Sequence, residues 1–505
     1  MQAMNSVKKP TVPFIEIELK LALPSTDPQS LEPLLARLPL LARRKATHER
    51  LHNTYYDTPD DTLNAQRSAL RLRRVGSETH PVWLQTLKMG GSADSALSQR
   101  GEWEVAVPGD ALQPDMLQAT PWQQLDPDGT LFQSLTARFT TDFTRTRWTV
   151  RNRDGSVIEV ALDLGHIVVG DHHTSICELE LELKAGQPAA LFDIARQIAS
   201  AVAVLPLGAS KAQRGFALAH NTLDQPSRAR PPLLTPNMPM QNAAAHVLRE
   251  MLNHFNTNLH TLLTADDPEV VHQARVGWRR FKTALAIFKR TPLVQALPPL
   301  QPLKPMLKEL GCLRDLEVAN LQTLPMLANA YVSGSPKRQT HWLALQTSLA
   351  SAAVEQHRLV RDSIQDPATG STLLALTEWL ENGHSTDATR AIGVEKRTAL
   401  RPWTLQHMER LRNQLKTTLK KSHKPDKLHR ARILAKRLRY GVEALRTVLP
   451  KRRAQRWHRQ ATRLQSSIGA QRDLQQALRI AKRLKAHPTL LKFLHAVVLG
   501  RNHLR

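Results

Sequence analysis

Between Phe14 and Lys184 the chain returns repeatedly to one pattern, charged residues at every second position with apolar residues between them. In the stretch from Phe14 to Lys20, the side chains of Glu16, Glu18 and Lys20 fall on one face of a strand and Ile15, Ile17 and Leu19 on the other. Arg71 and Arg73 repeat the device with positive charge, as do Lys88 in Thr86-Leu-Lys88 and the pair Arg145 and Arg147. Arg100, Glu102 and Glu104 alternate with Gly101, Trp103 and Val105, Glu159 and Asp163 face one way, and Glu178, Glu180, Glu182 and Lys184 close the series. One such strand is an ordinary amphipathic strand with a solvated face, but an open sheet gives no reason for so consistent a set. The pattern predicts a closed antiparallel barrel of about eight strands, a size whose interior holds side chains or one small ligand. Helices expected at Ser30–Arg44 and Ala189–Ala203 would cover the apolar outside.

Buried charges need partners of opposite sign. Carboxylates alone suit a hard cation such as Mg2+ or Mn2+, while Arg71, Arg73, Lys88, Arg145, Arg147 and Lys211 suit an oligophosphate. Two readings stay open on this ground: a metal and phosphate site, or a barrel whose charges merely pair with one another.

The ordered set Glu16-x-Glu18-x-Lys20, Tyr56-Asp-Thr58, Arg71-x-Arg73, Thr86-Leu-Lys88 and Glu178-x-Glu180 resembles the CYTH family of triphosphate tunnel metalloenzymes. The resemblance implies an eight-stranded antiparallel tunnel that binds a linear triphosphate with a divalent metal. It implies metal binding by Glu16, Glu18, Asp163, Glu178 and Glu180, and a catalytic group of Glu16, Glu18, Lys20 and Asp163. Lys20, Arg71, Arg73, Lys88, Arg145, Arg147 and Lys211 match the positions that hold phosphate, and Glu102 and Glu104 are secondary acidic candidates.

Charge divides the chain. Residues 1 to 225 hold 23 of the 70 Lys and Arg and 26 of the 44 Asp and Glu, which leaves 47 against 18 for the remainder. An excess of +29 on one part points to a polyanionic partner such as nucleic acid, an anionic membrane surface or polyphosphate. Pro226, Pro231, Pro232, Pro236 and Pro239 mark the change and predict a stiff linker. The expected organisation is a tail over 1–12, a tunnel domain over 13–222, a linker over 223–240 and a helical domain over 241–505. Two cysteines, no apolar leader before Phe14 and no apolar run of membrane-spanning length lead us to expect a cytoplasmic protein without membrane association.

The helical part is an internal duplication. His272, Arg275, Arg279, Arg280 and Lys282 recur 157 residues later as His429, Arg432, Lys436, Arg437 and Arg439, and Leu310-Gly-Cys-Leu-Arg-Asp315 recurs after 158 as Ile468-Gly-Ala-Gln-Arg-Asp473. The two copies are expected around 241–395 and 400–505. Within each, His272, Arg275, Arg279 and Lys282, or His429, Arg432, Lys436 and Arg439, share one helical stripe. A solvated basic face would explain one ridge, and recurrence favours a shared anion site in which the His donates to phosphate. These residues resemble the CHAD domain, which implies two pseudo-symmetric helical bundles around a basic cleft that binds inorganic polyphosphate. The pair of domains resembles the bacterial inorganic triphosphatases.

The expectation is therefore an α+β tunnel followed by an all-α domain, hydrolysing inorganic triphosphate to diphosphate and phosphate with Mg2+ or Mn2+ and binding polyphosphate. Adenylate cyclase or thiamine triphosphatase chemistry in the same tunnel is the alternative enzyme, and a non-catalytic polyphosphate-binding protein is the alternative outside enzymology. Nucleic acid is disfavoured as a partner because no aromatic platform interleaves the Arg residues.

Overall fold

The structure, a computed structural model, describes residues 14–25, 27–76, 79–90, 95–382, 399–420 and 425–503. It separates into two compact units, 1–225 with 365–378 and 226–364 with 379–505.

The first unit is built on eight antiparallel strands: β1 (Phe14–Ala22), β2 (Thr47–Asp57), β3 (Ser68–Gly76), β4 (Pro81–Met89), β5 (Leu97–Val107), β6 (Thr136–Arg151), β7 (Val157–Val169) and β8 (His172–Ala185). They run in the order β5-β4-β3-β2-β6-β7-β8-β1, and β1 pairs back onto β5, closing the barrel. A two-residue strand, β9 (Leu205–Pro206), adds to β1. Directly opposed residues share a face, so the register decides the lumen. Glu18 opposes Glu182, Lys20 opposes Glu180, Glu16 opposes Arg100, Lys88 opposes Glu102 and Asp163 opposes both Arg145 and Glu178. The alternating residues in between, among them Leu19, Leu21, Trp148, Val160, Leu179 and Leu181, form an outer core with Leu191, Phe192, Ile194 and Ile198 of the helix Ala189–Ala199.

The expected helix at Ser30–Arg44 is shorter than predicted. It spans Leu31–Ala36 and gives way to turns. Pro39 has no N–H to donate and turns Leu38 away from helical geometry.

At one end of the lumen the inward residues change from ionic to apolar, and Tyr55, Phe139, Phe143, Ile167 and Ile176 pack there with Phe216. Phe216 belongs to the helix Lys211–Ala219, whose start is set by a capping box between Ser210 and Gln213. The helix seats closely because residue 215 is glycine: a Cβ there would lie 2.2 Å from the Phe139 ring. Asp57, in the Tyr56-Asp-Thr58 motif, builds a turn. Its fully buried carboxylate accepts the backbone N–H groups of Thr58 at 2.7 Å, Leu63 at 2.8 Å and Asn64 at 2.9 Å.

The second unit is helical and carries the duplication. The helices Pro268–Ile287 and Pro425–Ala444 each run 20 residues and start on a proline. Met240–Thr261 precedes the first and Leu400–Leu419 the second, and Lys304–Val318 and Lys451–Arg483 follow them. Residues 226–239 have no helix or strand, and hydrogen bonds hold them at both ends. The Ser227 carbonyl accepts from His254 Nε2 at 3.0 Å and Asn258 Nδ2 at 3.1 Å, and the Leu234 N–H donates to Thr447 Oγ1 at 3.2 Å. Among the described residues no helix is long and apolar enough to cross a membrane.

Asp57→Ala removes three acceptor contacts from a dry turn. It is expected to destabilise the barrel by about 2–4 kcal/mol, the scale for leaving buried donors unsatisfied, measured as a lower urea midpoint at unchanged slope.

Candidate functional site

The lumen opens into a cavity of about 690 Å3. Lys20, Arg71, Arg73, Lys88, Arg145, Arg147 and Lys211, all of the cations expected on strand alternation and resemblance, line it, as do Glu16, Glu18 and Glu180. They arrive from six elements: β1, β3, β4, β6, β8 and the helix Lys211–Ala219. Arg147 sits where exposure rises, paired to Glu49 at 3.2 Å.

The carboxylates fall into two groups. Glu16 accepts from Lys88 at 2.8 Å and Arg100 Nε at 3.0 Å, and Glu18 contacts Lys20, Arg100 and Ser98 Oγ, the last at 3.1 Å. Farther in, Asp163 takes a bidentate pair from Arg145 at 2.7 and 2.6 Å, and Lys211 Nζ lies 2.6 Å from Asp163, 2.5 Å from Glu178 and 3.0 Å from Glu180. Arg214 Nη1 donates to the other oxygen of Glu178 at 3.1 Å. On the opposite wall Arg71 meets Glu102 at 3.5 Å, and Arg73 Nε donates to Asn53 at 2.8 Å.

Arg100 and Arg214 were not among the expected site residues. Arg100 shares the alternation of Glu102 and Glu104, which was the available signal. Arg214 follows Lys211 by three residues, one helical turn. Glu102 and Glu104 point inward as ion-pair partners of Arg71 and Arg73, and Glu182 pairs with Lys184 at 2.6 Å.

Electrostatics follow from this pairing. Burial would raise the Glu16 carboxyl, but Lys88 and Arg100 outweigh it and hold it below the usual range. The balance is the same for Glu18 with Lys20 and Arg100, for Glu102 with Lys88 and Arg71, and for Glu104 with Arg71 and Arg73. Glu180 is held well below by Lys211 and Arg145 against its own burial. Glu182 goes the other way, raised by burial in spite of Lys184, with Glu16 and Glu159 adding to the rise. Arg73 is pushed down to about 10, first by burial and then by Arg71 and Arg145. It is a cation short of negative charge.

Asp163, Glu178 and Glu180 each offer an oxygen within 4.8 Å of the other two. An oxygen-only, anionic donor set fits a hard divalent cation such as Mg2+ or Mn2+ and does not suit a thiophilic metal. Glu16 and Glu18 face the same lumen but stand outside this set, turned toward Lys88, Arg100 and Lys20.

In the helical unit the two ridges meet. Arg275 feels the charges of Arg279, Arg472 and Arg314, and Arg432 those of Arg472 and Arg279. Burial, then Arg279, Arg432, Arg472 and Arg275, push Lys436 down to about 7. Arg314 and Arg472, equivalent positions of the duplicated Arg-Asp element, join a cluster that the helical stripe alone did not include. Gly311 permits the approach, since a Cβ there would be 2.7 Å from Arg275 Nη1. Lys282 is exposed, and Arg439 is turned to Glu443 at 3.0 Å. His272 is pushed down to about 4 by burial and by Arg314, so at neutral pH it is an uncharged imidazole with one N–H to offer. The side chain of His429 lies outside the described residues.

Residues 15–216 match the CYTH domain family and residues 246–482 the CHAD domain family. Over 208 residues the chain is 37% identical to an inorganic triphosphatase of Haemophilus influenzae, a match that covers 40% of this chain and 54% of that protein. The chain thus spans about half the length of that relative. Among solved structures it is similar to the CHAD domain of Ricinus communis at 22% identity and a TM-score of 0.46, over 55% of this chain and 92% of the other. It is also similar, at 19% identity and a TM-score of 0.30, to a Hippeastrum protein described as a candidate adenylyl cyclase with a dominant triphosphatase activity, over 40% and 95%.

The lowered carboxylates predict acid sensitivity. Their folded values lie below the unfolded value of about 4.3, so their stabilisation is complete above that pH and is lost as pH falls through the folded values. Glu182, raised, has the opposite sign and stabilises at low pH, but it is one group against Glu16, Glu18, Glu102, Glu104 and Glu180. The melting temperature of the barrel is expected to fall steadily from about pH 5 to about pH 3. A flat profile by circular dichroism would contradict this assignment of charge.

Proposed function

Residues 15–216 being a CYTH domain and residues 246–482 a CHAD domain, we propose that the tunnel hydrolyses inorganic triphosphate to diphosphate and phosphate and that the helical unit binds inorganic polyphosphate. The observation that carries the first part is the convergence of nine cations, Arg100 and Lys184 among them, on one cavity with an apolar cluster at one end.

Phosphoryl transfer needs little covalent help from a protein; positioning and charge stabilisation supply most of the acceleration. Arg71 and Arg73 of β3, Arg145 of β6 and Lys211 of the helix all line the cavity, so a linear triphosphate lies among them. Arg73, short of negative charge, gains most from a phosphate oxygen. The carboxylates orient these cations before substrate arrives, because each holds a specific donor in place. The plug of Phe143, Ile167, Ile176 and Phe216 keeps the inner end dry and limits the depth to which the anion inserts. Water attacks the terminal phosphorus from the mouth near Arg147, forming one P–O bond as the bridging P–O bond breaks and diphosphate leaves. A divalent cation held by Asp163, Glu178 and Glu180, with Glu16 and Glu18 as the further acidic pair, supplies charge neutralisation and Lewis acidity.

For the helical unit, the meeting of Arg275, Arg279, Arg432, Lys436 and Arg472 supports a polyanion site. A chain of phosphates spans the two copies where a single monoanion would not. Cytoplasmic residence fits both ligands and belongs to the same proposal.

Phosphate release from triphosphate is expected to require Mg2+ or Mn2+, and Glu18→Gln is expected to lower kcat about a hundredfold, the scale for losing a key electrostatic group. Turnover unaffected by EDTA, or preference for ATP or thiamine triphosphate, would overturn the substrate assignment. In the full chain, Arg275→Ala with Arg432→Ala should weaken polyphosphate binding more than two changes at exposed lysines. The salt dependence should flatten as phosphate contacts are lost, read by fluorescence anisotropy with DNA and RNA as competitors.

A further inference from the structure

We propose that Lys211 is the resting occupant of the Asp163, Glu178 and Glu180 cage, and that a divalent cation enters this cage only when a polyanion in the tunnel draws the ammonium out. The inference rests on the functional reading above and concerns the order in which the site fills.

All six oxygens of the three carboxylates are engaged. Arg145 covers both oxygens of Asp163 and one of Glu180, Arg214 covers one of Glu178, and Lys211 contacts Asp163 together with the remaining oxygens of Glu178 and Glu180. An ammonium has three protons, and three carboxylates receive them. Three negative charges face three positive ones, so the cage is neutral as it stands. It is also largely buried: Asp163 and Glu178 are 0% exposed and Lys211 6%, and Glu180 and Lys211 border the cavity. A divalent ion added to this arrangement would leave a buried excess of two charges and would need oxygens already in use. The metal must therefore replace a cation.

Lys211 is the cation built to leave. Arg145 is held as a bidentate fork, and Arg214 is tied to the Ser175 carbonyl as well as to Glu178. Lys211 stands at the first position of its helix with a flexible four-carbon stem, and it also lines the cavity. Its Nζ lies 5.0 Å over the ring of Phe143, which also lines the cavity, a face that tolerates a cation outside the cage. A polyphosphate in the lumen offers the ammonium new acceptors and brings the negative charge that an incoming metal requires. Linkage makes the effect reciprocal: polyanion raises metal affinity, and metal raises polyanion affinity by the same factor.

The test is Mn2+ binding to the full chain by equilibrium dialysis and electron paramagnetic resonance, with no phosphate present. Lys211→Met is expected to hold Mn2+ at least about tenfold more tightly than wild type, within the usual range of such coupling, and the gain should vanish in Lys211→Met combined with Asp163→Asn. Equal affinity of wild type and Lys211→Met would overturn the proposal. If Lys211→Met folds only with Mn2+, chelation should unfold it and leave wild type folded, which supports replacement of ammonium by metal; a variant unfolded with or without Mn2+ would count against it. Phosphate release by wild type does not enter this comparison, so an active enzyme with no gain at Lys211→Met would sink this inference alone.

Discussion

The barrel depends on mutual neutralisation inside its lumen. Glu16, Glu18, Asp163, Glu178 and Lys20 are all nearly or fully buried, and each alone would carry a desolvation cost that coulombic attraction repays only with close, well-formed partners. The structure provides such partners by register: Arg145 beside Asp163, Asp163 beside Glu178, Lys20 beside Glu180, Glu16 beside Arg100. A charge in such a lumen leaves its partners only when another of the same sign takes its place, and a network held in this way is preorganised before substrate arrives.

Closure makes the network possible. β1 carries Glu16, Glu18 and Lys20, and it also joins β8 to β5. The strand that supplies these three charges is thus the one that seals the barrel, with most of their partners distant in sequence. Glu16 and Glu18 meet Lys88 and Arg100 only after the long-range contacts form, so the site and the fold are completed together. The plug helix adds the last cations, Lys211 and Arg214, from outside the sheet.

The helical unit solves a different problem. Its duplicated ridges bring like charges together, and the consequence is visible in Arg275, Arg432 and Lys436, all held below their ordinary values chiefly by burial and then by neighbouring guanidinium groups, Arg279 and Arg472 in each case. Asp315 and Asp473 relieve only part of this. The two copies are not electrostatically identical, because Arg279 in one corresponds to Lys436 in the other. A guanidinium stays charged where a crowded ammonium approaches neutrality, so Lys436 gives the second ridge a group that can vary its charge near pH 7.

Sequence alone determined the faces and the repeats. Alternation with a period of two sent Glu16, Arg71, Lys88, Arg145 and Glu180 to one side of their strands whatever their neighbours, and the spacing of 157 placed Pro268–Ile287 and Pro425–Ala444 as equivalent helices. Only the tertiary structure decided which carboxylate meets which cation, because alternation carries no information about depth or register. Thus Arg100 joined the site through its place opposite Glu16, Asp57 of the Tyr56-Asp-Thr58 motif builds a turn, and Arg214 entered the site on a helix that no strand pattern includes. The Pro-rich stretch likewise reads as a stiff linker by composition, and its hydrogen bonds with His254, Asn258 and Thr447 are contacts that no local reading of prolines could supply.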